Sequence, residues 1–223
     1  MPTHPLFMNI ELTDMPYKIV RQILVPENIT MHQFHLVIQE SLEWRNAHQY
    51  EFQDSQWNPQ LVVTNPYAAD DLMDESFFGE GSQEYRATEA SLKEIFLGEN
   101  EGKPFWYQYD FGDNWMHQIK FRKVTDAMAK VFKGVPLCVK AEGDGPPEDV
   151  GGVPGFEEFL RIVSNKKHPE YKSMIEWSGL QPGDKPRPGR LDTSLINERL
   201  ADLYHSEEWN WDDDDSMETR RFY

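Results

Sequence analysis

A single cysteine, Cys138, leaves the chain nothing with which to close an internal disulfide. That scarcity points to a reducing compartment, where thiols stay reduced. Long apolar runs are missing too, so no segment is expected to span a bilayer. The opening Met1-Pro-Thr-His-Pro carries no basic region followed by an apolar run, so no secretory signal is expected, and the chain reads as cytoplasmic. Basic residues are scarce: 22 Lys and Arg face 39 Asp and Glu, for a net charge of −17. Duplex binding draws much of its affinity from Lys and Arg contacts to phosphates, so direct nucleic-acid binding is disfavoured. Glycine-rich phosphate loops of the Gly-x-Gly-x-x-Gly and Gly-x-x-x-x-Gly-Lys-Ser/Thr kinds are missing. With one cysteine and no helical His-x-x-x-His pair, the ligand count for a zinc site fails.

Aromatic residues, by contrast, are plentiful at 13%, with seven Trp, and apolar residues reach 39%, enough for a packed core. The acids are unevenly placed. Residues 65–102 carry ten acids against two bases and 201–223 eight against two, whereas 103–140 carry seven bases against three acids. The chain therefore reads as one α+β domain over 1–205, with an acidic insertion at about 65–84 and an acidic tail over 206–223 expected to be disordered.

Residues 6–12 and 17–25 read as a strand pair around a Thr13-Asp14-Met15-Pro16 turn. Thr30-x-x-Gln33 is a capping box opening a helix over 31–44, with Met31, Phe34, Ile38 and Leu42 at a 3.6-residue period. His32 and His35 lie one turn apart, close enough to share a ligand, and read first as exposed helix positions; His48 begins a strand to Phe52. Thr88 reads as the cap of a helix over 89–97, followed by a hairpin over 104–124. Phe105, Tyr107 and Tyr109 alternate along its first strand, and Trp115, His117 and Ile119 along its second. A two-residue Gly112-Asp113 turn would set Asp110 opposite Trp115, and a three-residue loop Tyr109 opposite His117. The glycine- and proline-rich stretch 141–155 reads as a shaped loop. Helices are expected over 155–164, over 169–178 with Pro169 first and Gly179 as the stop, and after a cap at Asp192. The expected architecture is α+β: a mixed or antiparallel sheet with an N-terminal strand pair, one capped helix, a central aromatic hairpin, and C-terminal helices packed on the sheet.

Three stretches together carry a family likeness: Ile23-Leu-Val-Pro through Trp44 and His48; Tyr109-Asp-Phe-Gly-Asp-Asn-Trp-Met-His-Gln-Ile119; and Cys138 with Pro146-Pro-Glu-Asp-Val-Gly-Gly-Val-Pro-Gly-Phe156. Over about residues 6–200 the chain resembles the plasmid pRiA ORF-three-like family, whose members are also labelled insertion-element passenger proteins of TnpR type. The resemblance implies an α+β domain found near mobile elements in bacteria and archaea, and no established activity. The TnpR label suggests a resolvase. Residues 1–40 contain neither serine nor an arginine cluster, as a serine recombinase requires, and Arg220-Arg221-Phe-Tyr223 is a poor tyrosine-recombinase centre.

Asp110, Asp113, His117, Glu148 and Asp149 form the chemically interesting set, provided the hairpin and the 141–155 loop meet. Carboxylates with one histidine can hold a divalent cation such as Mg²⁺, Mn²⁺ or Ca²⁺. The same groups can equally shape loops by accepting backbone N–H bonds, and His117 fits a hydrogen-bonded core histidine. Trp209, Trp211 and the run Asp212, Asp213, Asp214 and Asp215 read as a docking segment for a basic protein partner or as solvated tail. Cys138 reads as a small buried hydrophobe. The leading functional expectation is a non-enzymatic binding or accessory protein connected with a mobile element. The alternatives are a metal-dependent hydrolase using the five site residues and an acidic DNA mimic.

Overall fold

The computed structural model describes residues 4–65 and 82–210. In chain order the elements are β1 (Pro5–Leu12), β2 (Ile19–Pro26), α1 (Met31–Leu42), β3 (Tyr50–Gln53), β4 (Leu61–Thr64), β5 (Gln83–Arg86), α2 (Leu92–Phe96), β6 (Pro104–Tyr109), β7 (Trp115–Arg122), α3 (Asp126–Val131), β8 (Leu137–Glu142), α4 (Gly152–Val163), α5 (Tyr171–Ser178), β9 (Arg190–Leu191) and α6 (Ser194–Tyr204). The strands form one sheet of order β5-β4-β3-β6-β7-β1-β2-β8-β9. Every pairing is antiparallel except β4 with β5. The fold is the expected α+β arrangement, and no helix among the described residues is long and apolar enough to cross a membrane.

Strand alternation divides the core. Leu6, Met8, Ile10 and Leu12 of β1 face the helical layer with Ile19, Ile23 and Val25 of β2. Phe7 and Leu24 point to the opposite side, where α3 covers them with Met128. On the helical side Phe34 of α1 stacks on Phe52 at 5.9 Å and meets the edge of Phe96 at 6.2 Å. Burial of each such ring contributes roughly 1.5–3 kcal/mol. The capping box forms as expected: Gln33 N–H donates to Thr30 Oγ1 and Thr30 N–H to Gln33 Oε1. The freed amide of Gln33 donates to the Trp209 carbonyl at 2.8 Å, binding the C-terminal turn to α1.

Several local expectations are corrected. Ser91, not Thr88, caps α2, through its own box with Glu94. In α5 the helix starts at Tyr171, two residues after Pro169, although Gly179 closes it with φ 69° as expected. Asp192 accepts the Ser194 N–H, yet the residue at the N-cap of α6 is Thr193. The helix after the glycine-rich loop begins at Gly152, because the lone proline of its first turn, Pro154, needs no donor there. Strand β5 begins inside the stretch read as an acidic insertion, and β8 runs two residues into the stretch read as a shaped loop. His32 and His35 are buried rather than exposed, and Trp209 lies in the core at 6% exposure. Trp209 therefore offers no free docking ring; Trp211 and Asp212 to Asp215 fall outside the described residues, as does the insertion over 66–81.

Candidate functional site

The hairpin adopts neither expected register. Five residues, 110–114, separate β6 from β7, and Tyr109 pairs with Trp115 and Tyr107 with His117. The loop closes because Asp110 and Asn114 both take left-handed backbone, φ 55° and 56°, a conformation that Asp and Asn accept best among non-glycine residues. Asn114 N–H donates to the Asp110 carbonyl at 2.6 Å. Asp110 Oδ1 accepts the N–H groups of Gly112 and Asp113 at 2.9 and 3.2 Å, which fixes the carboxylate and turns Oδ2 outward.

The hairpin and the glycine-rich loop do meet. Tyr109 Oη donates to Glu148 Oε1 at 2.5 Å and accepts from Ala47 N–H at 3.0 Å. Arg45 N–H donates to Glu148 Oε2 at 3.0 Å, and Trp44 Nε1–H to the Pro146 carbonyl at 2.9 Å. Gly151 N–H donates to Asp113 Oδ2 at 3.0 Å. Gly152 has φ +67°, and a Cβ there would stand 2.7 Å from the Asp113 carbonyl oxygen, so only glycine lets the two loops close this tightly. Burial, with the bond to the Glu148 carboxylate, raises the Tyr109 phenol far above its ordinary pKa, so the hydroxyl stays a donor.

This closure brings Asp110 and Asp149 together on His48, which stands in the link between α1 and β3. His48 Nε2 lies 2.9 Å from Asp149 Oδ1 and 3.6 Å from Asp110 Oδ2. One ligand atom from each of the three residues falls within 4.8 Å of the others. Asp149, like Asp110, holds its carboxylate out from left-handed backbone, φ 58°. His48 Nε2 is itself buried, and despite the 2.9 Å approach no partner meets it with hydrogen-bond alignment. An imidazole nitrogen facing two carboxylates calls for a donor or a cation at that position: an Nε2–H, or a metal ion bound through the lone pair. One imidazole and two carboxylates supply two negative charges and a mixed nitrogen–oxygen set, which suits a borderline-to-hard divalent ion with open positions toward solvent.

Of the five residues singled out from sequence, Asp110 and Asp149 join this cluster. Asp113 and Glu148 do not: they bolt the loops together through backbone and tyrosine bonds. His117 is in the core, its Nδ1–H directed at the carbonyls of Trp115 and Tyr107 at 3.0 and 3.2 Å, as a core histidine was expected to be. Burial pushes its pKa down to about 4. Sequence reasoning missed His48. The nearest signal was its place in the stretch Trp44 to His48 that carries part of the family likeness. Cys138 is buried, as expected, and burial pushes its thiol up to about 11, which leaves it unreactive.

A family model described as plasmid pRiA4b ORF-3-like protein matches residues 6–193. Uncharacterized protein y4hQ of Sinorhizobium fredii (strain NBRC 101917 / NGR234) is 29% identical over 189 residues, covering 83% of this chain and 84% of that protein. The crystal structure of a protein of unknown function, MM3350 from Methanosarcina mazei Go1, is similar with a TM-score of 0.63 and 27% identity, covering 85% of this chain and 96% of that one.

Proposed function

We propose, for a chain that belongs to the plasmid pRiA4b ORF-3-like protein family, a divalent-cation-dependent binding function with the ion held by His48, Asp110 and Asp149. The observation that carries this reading is the buried His48 Nε2, unaligned with any hydrogen-bond partner and set against two carboxylates. The imidazole favours Mn²⁺ or Zn²⁺ over the all-oxygen preferences of Mg²⁺ and Ca²⁺. Binding is preferred to hydrolysis because, apart from the three ligands, no carboxylate beside the cluster among the described residues is left free to assist a metal-bound water as general base. Glu148, the adjacent carboxylate, has one oxygen on Tyr109 Oη and the other on Arg45 N–H. Asp113 is directed at Gly151 N–H instead. A role as an accessory of a mobile element agrees with the plasmid origin of the family's name.

The test is a thermal-unfolding titration with Mn²⁺, Zn²⁺, Mg²⁺ and Ca²⁺, run on the full chain and on His48→Gln and Asp110→Asn. An ion at a hundred times its Kd stabilises the fold by about 2.7 kcal/mol. Mn²⁺ or Zn²⁺ is expected to raise the wild-type midpoint, and both substitutions to abolish the rise. A wild-type midpoint unmoved by all four ions, or an equal rise in both variants, overturns the reading.

A further inference from the structure

The face of the sheet turned away from α1 carries a groove of about 1200 Å³ between the loop before β4, the hairpin loop and the start of α4. Its floor follows from strand alternation: Tyr50 and Phe52 point into the core, so Glu51 and Gln53 point into the groove beside Gln108 of β6. Among the described residues three carboxylates line it, Asp14, Glu51 and Asp113, and no lysine or arginine does. Two of its walls are aromatic rings left in solvent, Trp57 at 85% and Phe111 at 53% exposure.

Glu51 is the unusual member. It is half-buried on the groove floor, and burial raises its carboxyl pKa above the ordinary range. Its neighbours across the sheet are Thr64 and Gln108. Among the described residues no lysine, arginine or histidine forms an ion pair with it. A carboxylate taken out of water without a counter-charge is costly, and the natural relief is a cation brought by a ligand. Exposed tryptophan and phenylalanine faces attract the same class of group by cation–π contact. The amide of Gln53 offers a donor and an acceptor, and Gln49 Nε2 and Gln108 Oε1 remain beside the bonds that Gln49 and Gln108 make to Asn65 and Asn114, which a peptide backbone can use and a bare polyamine cannot.

We propose that this groove binds a basic peptide segment, with a lysine or arginine side chain directed at Glu51 and flanked by Trp57 and Phe111. The groove shares no ligand with the His48 cluster, so the proposal stands apart from the metal reading. Measurements made in EDTA keep the two separate.

The experiment is calorimetric titration of the full chain in EDTA with a blocked lysine- and arginine-containing heptapeptide, its glutamine-substituted counterpart and spermidine. Glu51→Gln and Trp57→Ala serve as variants, each checked for an unchanged unfolding midpoint or better. Glu51→Gln keeps the shape and removes a desolvated charge, so it folds. Binding of the basic peptide is expected, at least 10-fold weaker in each variant and at least 10-fold weaker for the glutamine peptide. Failure of the basic peptide to bind at millimolar concentration overturns the proposal. So does equal binding of the glutamine peptide, or affinity unchanged by Glu51→Gln. Spermidine binding as tightly as the peptide overturns the peptide part by showing that charge alone is recognised.

Discussion

Two polar clusters, reached from alternate tyrosines of the same strand, are built to opposite rules. Around Tyr107 the hydrogen bonds close into a ring. Tyr107 Oη–H donates to His35 Nδ1 at 2.7 Å, His35 Nε2–H to Asn46 Oδ1 at 2.7 Å, Asn46 N–H to Gln39 Oε1 at 3.0 Å, and Gln39 Nε2–H back to Tyr107 Oη at 3.0 Å. One tautomer of His35 satisfies every link. Two residues along β6, Tyr109 reaches the Glu148 loop, and beside it His48, Asp110 and Asp149 leave an imidazole nitrogen facing two acceptors. A ring with every donor matched fixes a core and leaves nothing for a ligand. A cluster with too many acceptors stays open to a cation.

The strongest way to break the ring is Tyr107→Phe. It leaves His35 Nδ1 and the Gln39 amide unmatched in the core, at roughly 1–3 kcal/mol per buried group. Urea unfolding is expected to show a loss of about 2–6 kcal/mol. A loss below about 1 kcal/mol would mean that the ring is not the sealed unit described.

Acid attacks the sealed side next. Burial holds the His35 pKa well below its ordinary value and pushes that of His117 down to about 4. Unfolded histidine titrates near 6.5. The unfolded chain therefore takes up protons that the folded chain refuses, and the stabilisation is complete above about pH 6.5 and declines as the pH falls, the His117 part levelling off below about 4. The His117 share is about 3 kcal/mol, and His35 acts in the same direction. Acidification also relieves the self-repulsion of a chain of net charge −17, which works the other way. Urea midpoints that rise between pH 7 and 4.5 would show the buried histidines to be minor.

The two clusters were unequally legible in the sequence. The α1 helix, its Thr30–Gln33 box and the aromatic strands of the hairpin are local signals, carried by spacing alone, and they were read correctly. The ring was not, because His35 looks like a surface position until Tyr107, 72 residues away, supplies its partner. The hairpin register turned on Asp110 and Asn114 both taking left-handed backbone, which neither two- nor three-residue turn chemistry anticipates. Asp110 and Asp149 were visible as unusual carboxylates in shaped loops. His48 was not, since its role depends on a link that reaches the cluster only through the Tyr109 and Arg45 contacts. Trp209 was misread because an acidic neighbourhood suggested tail, while the amide of Gln33 in fact captures its carbonyl.

The smallest expected effect is the sharpest on the comparison. In Asp149→Asn the left-handed backbone persists, since asparagine accepts φ near 58° as readily as aspartate. What goes is one charge, on a side chain 68% exposed and paired with an imidazole 29% exposed. Even between full charges, a contact that open contributes about 0–1 kcal/mol, screened by salt. Metal-free stability is therefore expected to change by no more than about 1 kcal/mol, while stabilisation by Mn²⁺ or Zn²⁺ is lost. The loops would not come apart, because Glu148 and Asp113 hold them through Tyr109 Oη and the N–H groups of Arg45 and Gly151. If metal-free Asp149→Asn instead lost several kcal/mol, the His48 cluster would be a proton-bridged staple of the same kind as the ring. The difference between the two clusters would then be one of depth, not of purpose.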